Sequence, residues 1–97
     1  METALKALSD PGRRRILTLV RDEERSAGEI AAEFTVTWPA ISQHLRVLKE
    51  AGLVTERRDG AKRLYRARPE GLRDLRAYLD DFWDIGLERL KREVERG

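Results

Sequence analysis

The stretch SAGEIAAEFTVTWPAISQHLRVLKEA, residues 26–51, constrains this chain more than any other. Ser26 with Glu29 three positions later is a capping-box start. Ile30, Ala31 and Phe34 then supply a narrow apolar face. A turn of three or four residues comes next, through Thr35, Val36 and Thr37. Thr37 is placed to cap a second helix, and Pro39 fits its first turn, where backbone N–H groups have no intrahelical partner. In that second helix Ile41, Leu45 and Leu48 fall at i, i+4 and i+7 and make one buried stripe. The opposite side carries Pro39, Ser42, Gln43, Arg46 and Lys49, and Gly52 ends the helix as a C′ residue. Two short helices, a tight turn, and a second helix with short polar and basic side chains outward have the shape of a helix-turn-helix DNA reader.

The remaining residues have to hold that unit. Ninety-seven residues make one domain, 1–97, with a single modest core. There are no cysteines, which excludes a disulfide framework or a thiolate metal site. No segment approaches the roughly 18 apolar residues of a membrane span, and the N-terminus lacks a signal-peptide apolar region, so a cytoplasmic, soluble protein without a membrane partner is expected. The net charge of +2 conceals an asymmetry. Residues 37–68 hold 8 Lys/Arg against 3 Asp/Glu, whereas residues 1–36 hold 6 against 7 and residues 69–97 hold 6 against 8. The surplus therefore sits on the second helix and on the segment after it, where a polyanion would dock.

Before the unit, Met1–Leu8 reads as a short helix with Leu5 and Leu8 on one side. Asp10-Pro11 is an N-cap with Pro at N1 and starts a helix to about Val20, with Ile16, Leu17 and Val20 inward. Arg13, Arg14 and Arg15 in its first turns oppose the helix dipole by a few tenths of a kcal/mol each. They are either solvated surface paired with Glu residues elsewhere, or phosphate contacts. Arg21–Arg25 reads as a charged loop.

After the unit, Leu53–Arg58 and Lys62–Ala67 are two extended runs around Asp59-Gly60, a hairpin signal. Arg57, Arg58, Lys62 and Arg63 sit at its tip and flanks, and an arginine-rich hairpin beside a reading helix is a wing. Such a hairpin is marginal alone, so Leu53, Leu64 or Tyr65 must pack on the helices. Pro69 starts a last helix through about Glu95. Its Leu72, Leu75, Leu79, Phe82, Gly86 and Leu90 step by 3, 4, 3, 4 and 4, close to a heptad seam, and Tyr78, Trp83, Ile85, Leu87 and Val94 widen the apolar surface. A small domain cannot bury so wide a face against itself, and part of it is expected to meet a second copy. The fold class is mainly α with a small β-hairpin, in the order helix, helix, helix, helix, strand, strand, helix.

The segments ALSDPGRRRIL, PAISQHLRVLKEAGLV and RRDGAKRLYRA, in this order before a long C-terminal helix, resemble the ArsR/SmtB family of winged helix-turn-helix transcriptional repressors from Ala4 to about Leu90. The resemblance implies a homodimer joined by the first and last helices, with Leu5, Leu8, Leu75, Tyr78, Leu79, Phe82, Trp83, Gly86 and Leu90 at the interface. It implies a palindromic double-stranded DNA operator read in the major groove. The DNA contacts carried over are Trp38, Pro39, Ser42, Gln43 and Arg46 from the reading helix, with Arg57, Arg58, Lys62 and Arg63 from the wing. Thr37 at the helix start and Lys49 as a phosphate contact are added from the helix itself, and His44, at the border of the buried stripe and the groove face, takes either a phosphate contact or a partly buried packing role. Trp38 departs from the smaller polar residue common there; it stacks on sugar or a thymine methyl, or covers the turn.

A second departure is chemical. Metal-sensing members place cysteine pairs before the reading helix, or His and carboxylate ligands on the last helix. This chain has no cysteine and a single histidine, His44. Asp80, Asp84 and Glu88 align at i, i+4 and i+8, but carboxylates alone suit hard cations weakly. The chain is therefore similar to the metal-independent members, autoregulators and sensors of other signals among them, and no cofactor is implied. An enzyme is not expected either: Ser42 and His44, two apart on a helix, point about 200° away from one another and cannot share a proton. Two rival readings are a regulator with a small-molecule effector pocket around Tyr78, Phe82 and Trp83, and a winged-helix protein-interaction module.

Overall fold

The computed structural model describes residues 1–96, apart from the side chains of residues 84–88. Its elements are α1 (Glu2–Leu8), α2 (Pro11–Leu19), β1 (Arg25–Ser26), α3 (Ala27–Ala31), α4 (Trp38–Glu50), β2 (Val54–Asp59), β3 (Lys62–Ala67), a 3₁₀ turn (Pro69–Leu72) and α5 (Arg73–Arg96).

Each helix of the reader starts where its cap chemistry puts it. The Asp10 carboxylate accepts from the Gly12 and Arg13 N–H groups ahead of Pro11 at N1. At α3 both halves of the capping box are made: Glu29 N–H donates to Ser26 Oγ, and Ser26 N–H donates to the Glu29 carboxylate, each at 3.1 Å. The Thr37 hydroxyl accepts from Ala40 N–H at the start of α4. At its end Gly52 N–H donates to Lys49 O and Leu53 N–H to Leu48 O, both at 3.0 Å, the bond pair of a Schellman motif. That motif needs a left-handed residue, and Gly52 takes φ of +73° without the Cβ penalty other residues carry.

Three features differ from the sequence expectation. Arg25 is not loop: Arg25–Ser26 pairs antiparallel with β3, Arg25 opposite Tyr65 and Ser26 opposite Leu64, so the hairpin becomes a three-stranded sheet of order β1-β3-β2. Strand β1 has only two residues, too short for an alternation signal to show in sequence. Helix α3 is also short, and residues 32–37 connect it to α4, so Phe34 lies in the connection and packs beneath the Arg15 guanidinium, 4.7 Å from the ring centroid. Finally, the last ladder pair is Asp59 with Lys62, which makes Gly60-Ala61 the centre of the turn rather than Asp59-Gly60. Gly60 has φ of +63° and Ala61 does not share the positive φ, the pattern of a type II′ turn.

The core gathers Ile16 and Val20 of α2, Ile30 of α3, Ile41, Leu45 and Leu48 of α4, and Leu53, Val54 and Tyr65 around the sheet. From α1 it is Ala4 and Ala7 that are buried; Leu8 is half-buried and Leu5 exposed, so α1 approaches on its small side chains. Ala67 N–H donates to Val20 O and ties the sheet to the end of α2, and Arg68 N–H to Leu53 O extends the β2–β3 ladder by one pair. Truncating a fully buried aliphatic such as Leu48 to Ala would cost about 2–5 kcal/mol.

Helix α5 leaves this body as an arm. A compact chain of this length has a radius of gyration of about 12.5 Å; here it is 17.8 Å, in a molecule 64 Å long and 25 Å wide. Leu72 and Leu75 at the root are half-buried, but Tyr78, Leu79, Phe82, Trp83, Leu90 and Val94 are exposed, Trp83 to 73%. Among the described residues no helix is long and apolar enough to cross a membrane.

Candidate nucleic-acid interface

Burial of Ile41, Leu45 and Leu48 fixes which way the rest of α4 faces. Pro39, Ser42, Gln43 and Arg46 lie exposed away from that stripe, Trp38 and Lys49 are exposed along its Leu45 flank, and Thr37 is exposed at the cap. Arg46 pairs with its own-helix neighbour Glu50 at 3.9 Å, a weak pairing between two exposed groups that a base edge or phosphate could displace. Lys49 reaches across to Glu56 of β2 at 3.5 Å and so helps dock the sheet on the helix.

Alternation along the hairpin divides its charges between two faces. Val54, Glu56 and Arg58 share a face with Tyr65 and Arg63, while Arg57 and Asp59 share the other with Lys62 and Leu64. On the first face Tyr65 Oη donates to Glu56 at 2.8 Å. This bond, and then Lys49, hold the Glu56 carboxyl below its ordinary range, while burial and then the same bond push the Tyr65 phenol up to about 12. Beyond them Arg58 and Arg63 stand directly opposite one another. Like charges so placed repel by a fraction of a kcal/mol, a cost that an approaching polyanion would relieve. On the second face Arg57 is committed elsewhere: Nε and Nη2 donate to both oxygens of Glu24 at 2.8 and 2.7 Å, which lowers the Glu24 pKa and ties the wing to the segment before β1. The structure thus removes Arg57 from the free wing charges. Lys62 faces Asp59 across the ladder.

The two halves of the interface meet at Trp38. A cleft of about 410 Å³ is lined by Trp38 at the start of α4, by Ala61, Lys62 and Arg63 of the wing, and by Ser26, Ala27 and Gly28. Trp38 lines this cleft and is 54% exposed. His44 is the residue the structure sets apart from the others. Its side chain is 21% exposed and lies against the N-terminus of α2, 3.9 Å from Asp10 and 3.5 Å from Arg13, away from the outward face.

The arginines that open α2 serve α1. Arg13 Nε donates to Ala7 O at 2.6 Å and Nη2 to Lys6 O, while Arg14 donates to Leu8 O at 2.7 Å. Neither alternative read from the sequence includes this, because helix-terminal carbonyls are acceptors that leave no trace in side-chain composition. Arg15 does take the pairing alternative, with Glu33 at 3.9 Å.

Of the residues expected at a dimer interface, Leu5, Tyr78, Leu79, Phe82, Trp83 and Leu90 are exposed and Leu8 and Leu75 half-buried; Gly86 lies outside the described side chains. Tyr78 and Phe82 meet edge to face at 5.0 Å. Asp80 pairs with Arg76, and Asp84 and Glu88 are outside the described side chains. Among the described residues no group of three or more His, Cys, Asp or Glu side chains could hold a metal ion. An apolar cavity of about 350 Å³ opens at the root of the arm, among Leu8, Leu17, Leu53, Ala67, Pro69 and Leu72.

A capped helix pair with an outward polar and basic face, flanked by a charged hairpin and a long C-terminal helix, defines a winged helix-turn-helix regulator. Residues 10–56 match the model of the bacterial regulatory protein arsR family. The chain belongs to the ArsR family. It is 44% identical over 86 residues to the HTH-type transcriptional regulator Rv2034 of Mycobacterium tuberculosis, covering 89% of this chain and 80% of that protein. It is 36% identical over 80 residues to the arsenical resistance operon repressor of Staphylococcus xylosus, covering 82% and 77%. Among solved structures, a possible transcriptional regulator for arsenical resistance superposes with a TM-score of 0.74 at 48% identity over 92% of this chain and 93% of that one. These relatives are regulators and repressors rather than enzymes, and the chain is a transcriptional regulator of their family.

Proposed function

We propose that the chain is a homodimeric repressor that occupies a palindromic operator and responds to something other than a metal ion. The observation that carries this is the shared orientation of the α4 face and the wing around the Trp38 cleft, set on a body whose arm exposes Tyr78, Leu79, Phe82 and Trp83. Gln43 and Arg46 are the base readers: Gln pairs bidentately with adenine and Arg with guanine in the major groove. Ser42, Pro39 and Trp38 pack along the groove wall. Arg58, Lys62 and Arg63 take phosphates or the minor groove and supply affinity more than sequence choice. Pairing of two α5 arms, with Leu5 and Leu8 beside them, covers the exposed apolar face and sets two α4 helices about 34 Å apart, one turn of DNA. Soft metals and metalloids are held by thiolates, and the chain has none.

Selecting duplexes from a random pool, with sedimentation of the protein alone and bound, tests this. A palindrome bound by two chains is expected. A monomer that shows no preference among duplexes, or loses affinity to salt equally on all of them, would overturn it.

The cavity at the arm root favours a second reading, a regulator with an apolar effector seated where α5 begins. A hydrophobic-ligand screen read by melting temperature and operator affinity separates the two.

A further inference from the structure

At the N-terminus of α2 three helices meet around one guanidinium. Arg13 Nε and Nη2 donate to the carbonyls of Ala7 and Lys6, two of the last acceptors of α1. Nη1 points to Nδ1 of His44, 3.5 Å away in α4. The Arg13 backbone N–H donates to Asp10 Oδ1, and that oxygen lies 3.9 Å from the other ring nitrogen, Nε2. Asp10 and Arg13 are the charged groups of α2 that face the ring. The imidazole lies directly over Gly12, where a Cβ would stand 3.4 Å from Nε2. With Nη1 as the donor, Nδ1 is the acceptor and Nε2 is turned toward Asp10, an assignment made from the partners.

The rest of the α4 seat is of a different kind. Ile41, Leu45 and Leu48 hold the helix down through apolar burial, which is non-directional and tolerates small rotations about the helix axis. A planar guanidinium bonded to two carbonyls of another helix is directional, because its donors lie in a fixed fork. His44 is adjacent in sequence to Gln43 and two positions before Arg46, so a roll of α4 at His44 swings both across the groove.

We propose that Arg13 and His44 are a positioning pair that sets the roll of the reading helix against α1, and through it against the dimer; the proposal rests on the DNA-reading role of α4. Neither residue touches DNA in this arrangement. The pair acts on discrimination between sequences and not on the charge-driven affinity for any duplex.

The test measures affinity for the selected operator and for a scrambled duplex, with melting curves, in wild type, His44→Leu, His44→Asn, Arg13→Gln and the double variant His44→Leu/Arg13→Gln. In His44→Asn the side-chain amide oxygen falls near the Nδ1 position and retains the acceptor. His44→Leu and Arg13→Gln are each expected to reduce the operator-over-scrambled ratio about tenfold, within the usual range of coupling between sites. The double variant should lose no more than either single one, and His44→Asn should keep the ratio. Equal losses in His44→Asn and His44→Leu, additive losses in the double variant, or losses equal on both duplexes would overturn the pair. If Arg13→Gln does not fold, the comparison of His44→Asn with His44→Leu decides alone. A wild-type protein without operator preference sinks the DNA-reading assignment itself, whereas a preference that survives in His44→Leu sinks the positioning pair only.

Discussion

Arg58 and Arg63 face each other across the β2–β3 ladder, two guanidinium groups at neighbouring positions on one face of the wing. The pair is a cost to the free protein and an asset on DNA. Because Arg63 also bears on Tyr65 and Glu56, the clean test is Arg58→Gln, which is expected to move stability and binding in opposite directions. Melting temperature should rise by an amount equivalent to a few tenths of a kcal/mol. The slope of log affinity against log salt should flatten by about 0.9, one phosphate contact. A variant that loses stability together with affinity would show that the arginine has a structural partner.

Base reading and phosphate contact separate by mutation. Arg46→Ala should cost about 1–3 kcal/mol on the operator and relax the preference at one base position. Lys62→Ala should weaken all duplexes about equally and reduce the salt slope. Uniform loss in both would remove Arg46 from the base-reading set.

Tyr65 gives the wing an alkaline limit. Its folded pKa of about 12 lies above the value near 10 of an exposed phenol, so the stability held in the neutral hydroxyl is complete below pH 10 and is lost as pH rises toward 12. A difference of this size corresponds to roughly 2–3 kcal/mol. Glu56 has the opposite sign: its depressed pKa contributes above about 4.5 and is lost on acidification. Phenolate absorbance should show a late step that Tyr65→Phe abolishes, and Tyr65→Phe should be less stable at neutral pH.

Gly71 tests the root of the arm. A Cβ there would overlap the Gly52 carbonyl, a backbone atom that no rotamer change can move, and would crowd Leu53. Gly71→Ala should force the 3₁₀ turn off the end of α4, lowering stability by more than about 1 kcal/mol and operator affinity further still. Unchanged stability would mean the root yields at no cost.

Much of the fold is legible in the chain because caps and stripes are local. Asp10, Ser26 and Thr37 each cap the helix their chemistry announces, and the i, i+4, i+7 stripe of α4 is buried as the spacing requires. The features that escape a reading of the sequence depend on register or on distant backbone. A turn centred on Asp59-Gly60 would place Glu56 opposite Arg63; the actual turn, one residue later, places it opposite Tyr65 and brings the two arginines together. Arg57 reads as a wing charge because its partner, Glu24, lies 33 residues away. His44, at the border of the buried stripe and the groove face, reads as a phosphate contact or a partly buried side chain, and the approach of α2 gives it the second placement.

The end of α4 and the start of α5 share one joint, since Arg68 and Gly71 both rest on the Gly52–Leu53 backbone. The 24 residues of α5 extend about 36 Å beyond it at 1.5 Å per residue. The joint therefore works as a reduction gear: a swing of about 3 Å at the far tip becomes a tilt of only about 5° where the arm meets the body. Disturbances far along the arm therefore arrive attenuated at the Gly52–Leu53 backbone, where α4 ends.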